Sequence, residues 1–200
     1  MGITERRERE RSEIRRKILD AARDLFAREG YEQVTMRRIA EAIEYSPTTI
    51  YHHFEDKDDL VKALCDEDFS RLFAALAAAP PPLDPVEAIR QLGRAYCRFA
   101  LDYPNHYRFM FLTPNKVEHP DPDSPGHQSF DVLRAAVKAA QAKGRLRPGH
   151  ADTIAQVLWA SIHGAVALLT TLQPQHWPSP PAPDLVDQVI DNSLRGFLAG

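Results

Sequence analysis

Residues 34–54 read VTMRRIAEAIEYSPTTIYHHF, and their spacing predicts two short helices joined by a tight turn. Met36, Ile39, Ala40 and Ile43 fall at i, i+3, i+4 and i+7, one apolar stripe of a helix. Thr35 precedes the stripe, where its hydroxyl is placed to cap the free amides of the first turn. Ser46-Pro47 opens the second helix with an N-cap residue followed by the one helical position that tolerates proline. Ile50 and Phe54, at i and i+4, face inward and leave Thr48, Thr49, Tyr51 and His52 facing out. A helix this short needs neighbours to hold it, and an outward face of hydrogen-bonding side chains suits the major groove of DNA. Short polar helices joined by turns also occur in many all-α proteins, so spacing alone leaves a plain helical module open.

The flanking sequence is helical throughout, with no run of period-two alternation long enough for a strand. Helix one is expected over about 10–29, with Ile14, Ile18, Ala22, Leu25 and Phe26 inward and Gly30 as a left-handed cap. Residues 1–9 are expected to be a flexible arm. Asp56, with Asp59 three residues on, caps a fourth helix. Asp84-Pro85 opens a fifth, and Pro104 starts a short aromatic helix. Further helices are expected at about 127–143, 149–172 and 184–198, nine in all. Residues 114–126 hold four prolines and are expected to loop, and 173–183, with five, to form a stiff connector.

Two hundred residues suffice for one small and one medium domain, and 44% apolar with 26% charged residues is ordinary for a globular chain. Net charge is −3, and the first 60 residues carry 12 Lys or Arg against 14 Asp or Glu, so composition does not advertise nucleic acid. Only residues 1–17 are basic, with seven Arg or Lys against four Glu. Since phosphate contacts dominate DNA affinity, any basic patch must come from geometry. Cys65 and Cys97 show neither metal nor redox spacing and are expected to be buried free thiols. No secretory leader is visible, and a cytoplasmic location is expected. Ile154–Leu172 is 19 residues long and mostly apolar but is interrupted by Gln156, Ser161, His163, Gly164, Thr170 and Thr171, which fits a buried helix better than a membrane span.

Three stretches carry a resemblance: IRRKILDAARDLFAREGY at 14–31, VTMRRIA at 34–40, and SPTTIYHHFEDKDDL at 46–60. Together they resemble the N-terminal domain of the tetracycline-repressor (TetR) family. The resemblance implies an all-α fold, with a three-helix DNA-binding domain over 1–60 and an effector-binding and dimerisation domain over 61–200. It also implies residue roles. Thr48 and Thr49 would touch base edges; Ser46, Tyr51, His52 and Lys57 would reach phosphate oxygens; and Thr35, Arg37 and Arg38 would grip the backbone across the groove. One departure stands out. Many family members have glycine in the turn where this chain has Glu44, and a glutamate at positive φ costs about 1 kcal/mol, so a differently built turn is expected.

A single reading head of this size buries little DNA, so a homodimer on a palindromic operator is the expected arrangement. Ala160, Gly164, Ala167, Val186, Val189, Ile190 and Phe197, on the last two helices, are the candidate seam. The middle helices would supply regulation: Tyr96, Phe99, Phe109, Met110, Trp159 and His163 are candidates to line a pocket for an unidentified small, mainly apolar effector. The string WASIHG at 159–164 resembles the Trp/His/Gly signature of one C-terminal subgroup of the family. Plain core packing is the competing reading of the same aromatics. No catalytic residues, cofactor or metal are expected. The histidines are scattered, and HxxxH, CxxC, a glycine-rich phosphate loop and GxSxG are all missing. A ligand-responsive repressor is the expected function, with a pure helical interaction module as the alternative.

Overall fold

The structure, a computed structural model, describes residues 2–78, 83–113, 123–179 and 181–199. Among the described residues nine α-helices run in order: α1 Ile3–Glu29, α2 Met36–Ala42, α3 Pro47–Tyr51, α4 Lys57–Ala77, α5 Pro85–Asp102, α6 Pro104–Tyr107, α7 Pro125–Ala142, α8 Ala151–Thr171 and α9 Leu185–Arg195. A widened helical turn, Arg108–Leu112, continues α6. Among the described residues the only β feature is an isolated bridge between Leu146 and Leu198. The expected loop 114–126 falls mostly outside the described residues, and Pro125 and Gly126 already belong to α7.

One local device starts three of these helices. Ser46-Pro47, Asp84-Pro85 and Ser124-Pro125 each place an acceptor side chain at the N-cap and proline in the first turn. Ser46 accepts from Thr49 N–H at 3.3 Å, Asp84 from Val86 N–H at 3.0 Å and Ser124 from His127 N–H at 3.5 Å. α1 begins seven residues before the expected start, so residues 3–9 are helix rather than arm. From Thr4 to Arg9 every residue is polar, and a helix without an apolar stripe leaves no period to read.

The chain divides into two compact units. The first comprises Met1–Asp68 and Asn105–Pro120, the second Phe69–Pro104 and Asp121–Gly200. In the first, Ile18, Leu19, Ala22, Leu25 and Phe26 of α1 are buried with Val34, Ile39, Ala40, Ile50, Phe54, Leu60 and Leu64. The returning segment inserts Tyr107 and Phe109, both fully buried, and Phe109 stacks on Phe26 at 5.6 Å. In the second unit α5 packs on α7, α8 and α9. Gly93 makes the close approach possible: a Cβ there would lie 3.0 Å from both Ile162 Cδ1 and Ile190 Cδ1.

Candidate nucleic-acid interface

The reading head is built around α2, its turn and α3. Thr35 Oγ1 accepts from Arg38 N–H at 3.1 Å and fixes the start of α2. At its end Tyr45 N–H donates to Ala40 O at 3.0 Å and Glu44 N–H to Glu41 O at 3.2 Å, the paired bonds that close a helix through a left-handed residue. That residue is Glu44, at φ +60°. The expectation of a differently built turn is therefore corrected: the glutamate adopts the conformation a glycine would, because the two bonds and the next helix leave it no other.

α3 is held from below and open above. Ile50 and Phe54 are buried, with 0% and 2% of their surface exposed, whereas Thr48 and His52 are exposed and Tyr51 is 55% exposed. Thr49 is half-buried, and its hydroxyl hydrogen-bonds Ser46 Oγ at 3.0 Å. Thr48 therefore carries the outward-facing hydroxyl without a cap to serve.

The cations assigned to phosphate are held by the protein itself. Arg37 pairs with Glu41 at 3.0 Å and Arg38 with Glu29 at 3.1 Å, both at the surface, where such pairs are worth under about 1 kcal/mol and exchange readily. Lys57 turns inward. Its ammonium donates to the Tyr31 carbonyl and lies 3.9 Å from the Tyr31 ring centroid and 5.8 Å from that of Phe26. Beneath the head, the Arg23 guanidinium, 2% exposed, donates through Nε to both carboxylate oxygens of the fully buried Asp68, each at 3.0 Å, and through Nη1 to Asp20 at 2.7 Å. Sequence reasoning missed this pair, since 45 residues separate its members and no local pattern links them.

The effector-pocket candidates fall into two places. In the second unit, Tyr96 hydroxyl and His163 Nδ1 share a hydrogen bond of 2.9 Å. The Trp159 ring lies 5.7 Å from His163 and 6.1 Å from Phe130. Burial holds the His163 imidazole below its ordinary pKa. Phe99 is buried beside Tyr103 in the same unit. Phe109 and Met110 lie instead in the first unit, on the segment that packs against α1. A separate groove of about 380 Å³ opens between the end of α4, α5 and α7, with Leu76, Leu92, Val132 and Ala136 on its walls and Gln91 and Lys143 as polar tips.

Of the candidate seam residues, Ala160 and Gly164 are exposed, and Ala167, Val186, Val189 and Phe197 half-buried. Ile190 is buried within the protomer against Gly93. Thr153, Val157, Ala160, Gly164, Leu168 and Thr171 make one exposed, uncharged stripe along α8 at spacings of three and four. α8 is long and apolar enough to cross a membrane by length and composition only, and its Ile154, Leu158, Ile162 and Val166 are buried in the protomer, as in a core helix. Burial raises the thiols of Cys65 and Cys97 to about 12, which keeps them protonated and inert.

Residues 18–64 match the family model described as "Bacterial regulatory proteins, tetR family", and residues 89–192, more than half the chain, match "Tetracyclin repressor-like, C-terminal domain". The chain belongs to the TetR family. Members of the TetR family are transcriptional regulators rather than enzymes, and the helix-turn-helix of α2 and α3 is the DNA-binding element of that class. The HTH-type transcriptional repressor AcnR of Corynebacterium efficiens is 48% identical over 144 residues, 66% of this chain and 69% of that protein. The HTH-type transcriptional repressor Rv1474c of Mycobacterium tuberculosis is 52% identical over 60 residues, 30% of this chain, and the match spans only 32% of that protein. A TetR family transcription regulator from Marinobacter aquaeolei VT8 shares the fold, with a TM-score of 0.79 over 97% of this chain and 100% of that one at 20% identity. The C-terminal match carries the general description and names no Trp/His/Gly subgroup.

Proposed function

We propose that this TetR-family chain acts in the cytoplasm as a homodimeric repressor that binds a palindromic operator and is released by a small, mainly apolar effector. The observation that carries the reading is the division of α3 into a locked side, Ile50 and Phe54, and an open side, Thr48, Tyr51 and His52. Thr48 reads a base edge or a thymine methyl, and Tyr51 and His52 donate to flanking phosphates. Thr49 gives up part of its reach to Ser46. Arg37 and Arg38 exchange their carboxylates for phosphates on docking. Lys57 supports the head by holding Tyr31, and reaches phosphate only if that bond is released.

Dimerisation uses the uncharged stripe of α8, where Ala160 and Gly164 permit close approach. The half-buried Val186, Val189 and Phe197 flank it, while Ile190 stays in the protomer core. For the effector, the Tyr96–His163–Trp159 cluster offers two polar tips beside an aromatic wall. The groove between α4, α5 and α7 offers more room, within the range of small-molecule sites. Selection of bound sequences from random duplex DNA tests the whole reading. A two-fold symmetric consensus is expected, and enrichment of nothing, or of an asymmetric site, would overturn it.

A further inference from the structure

α1 carries a set of cations that the reading head does not use. At 100° per residue, Ile18, Ala22 and Leu25, which are buried in the first unit, define one side of this helix. Continued toward the N-terminus, past the last core residue, the same side is occupied by Arg7, Arg11 and Arg15, at i, i+4 and i+8. All three are exposed. The carboxylates of the segment lie elsewhere: Glu5, Glu10 and Glu13 fall on other sides, Glu10 pairing with Arg6 at 2.8 Å, and Glu8 sits at the edge. The series runs beside the end of the recognition helix, because the Arg15 guanidinium lies 5.2 Å from the Phe54 ring centroid. Burial together with the charges of Arg11 and Arg15 also holds His53 below its ordinary pKa.

We propose that Arg7, Arg11 and Arg15 form a rigid cationic rail that grips the phosphates of the DNA strand flanking the groove entered by α3. This rests on the operator-binding reading above. The rail answers the charge deficit of the first 60 residues, in which acids outnumber bases and Arg37, Arg38 and Lys57 already have protein partners. It spans about 12 Å along the helix, against a strand bearing one phosphate per about 3.4 Å of axis. Held on a helix rather than a loose arm, its side chains lose less freedom on binding. A membrane surface is a poorer partner, since an interfacial helix needs an apolar face beside its cations and residues 4–13, TERRERERSE, contain no apolar residue.

The test uses the full chain and a duplex that the wild type selects from random DNA. Arg15 is left in place because it packs on Phe54. R7Q/R11Q is expected to retain wild-type helicity, to weaken selected and scrambled duplexes alike, and to lower the slope of log K against log salt by about 1.8 per reading head. R7K/R11K is expected to keep the wild-type slope. An unchanged slope in R7Q/R11Q overturns the rail and leaves the reading head standing. A wild type that selects no duplex overturns both. Loss of binding to phosphatidylglycerol vesicles, with DNA binding intact, assigns the cations to membrane instead and also overturns the proposal.

Discussion

Glu44 sits where the helix-turn-helix needs a left-handed residue, and two backbone hydrogen bonds keep it there at φ +60°. Glu44→Gly removes the steric cost of a Cβ in that conformation and a negative charge close to the DNA side. The variant is expected to be more stable by about 1 kcal/mol in chemical unfolding, and an unchanged or lower midpoint would contradict that. Arg23 and Asp68 are a different kind of residue-scale feature, with both charges almost out of solvent. Asp68→Ala leaves a guanidinium buried with only Asp20 and the half-buried Glu67 nearby, and is expected to lose about 3 kcal/mol. The double variant Arg23→Met/Asp68→Leu is expected to regain most of that loss, and a double variant as weak as Asp68→Ala would show that the pair matters for more than its charge balance.

The helices that the sequence announces most clearly are those whose start is a matter of adjacent residues. Ser46-Pro47 and Asp84-Pro85 are legible because an N-cap and a first-turn proline act within one turn of the chain. The outward Thr48 and inward Ile50 were legible for the same reason. The beginning of α1 was not, since its first turns have no buried side. Phe109 and Met110 were grouped with Tyr96 and Trp159 because periodicity shows that a segment has an apolar face without showing which core that face returns to. The α5–α8 contact at Tyr96 and His163 makes a pH prediction. Burial lowers the pKa of His163 and, with help from Arg11 and Arg15, that of His53. Both rings therefore bind protons more readily in the unfolded chain, so stability is full above about pH 6.5 and falls as pH drops below it. His163→Gln is expected to flatten part of that fall in thermal unfolding between pH 7 and pH 5. Equal acid slopes in variant and wild type would contradict it.

At the scale of the molecule, α8 carries both the packing of the protomer and the proposed dimer seam. Ile154, Leu158, Ile162 and Val166 are buried in the protomer, while Val157 and Leu168 on the other side are 43% and 48% exposed. Leu168→Glu puts a charge into the proposed seam and is expected to shift sedimentation from dimer to monomer while leaving the protomer folded. A dimer of undiminished affinity would move the seam elsewhere. The central claim, however, is that α3 is a supported probe whose open side reads sequence. Its most direct test is to select duplexes from random DNA with wild type and with Thr48→Ala. The wild type is expected to enrich a two-fold symmetric site, and Thr48→Ala to relax preference at one base-pair position in each half-site, by about 1–3 kcal/mol, without losing the others. Identical preferences in both proteins would contradict the account.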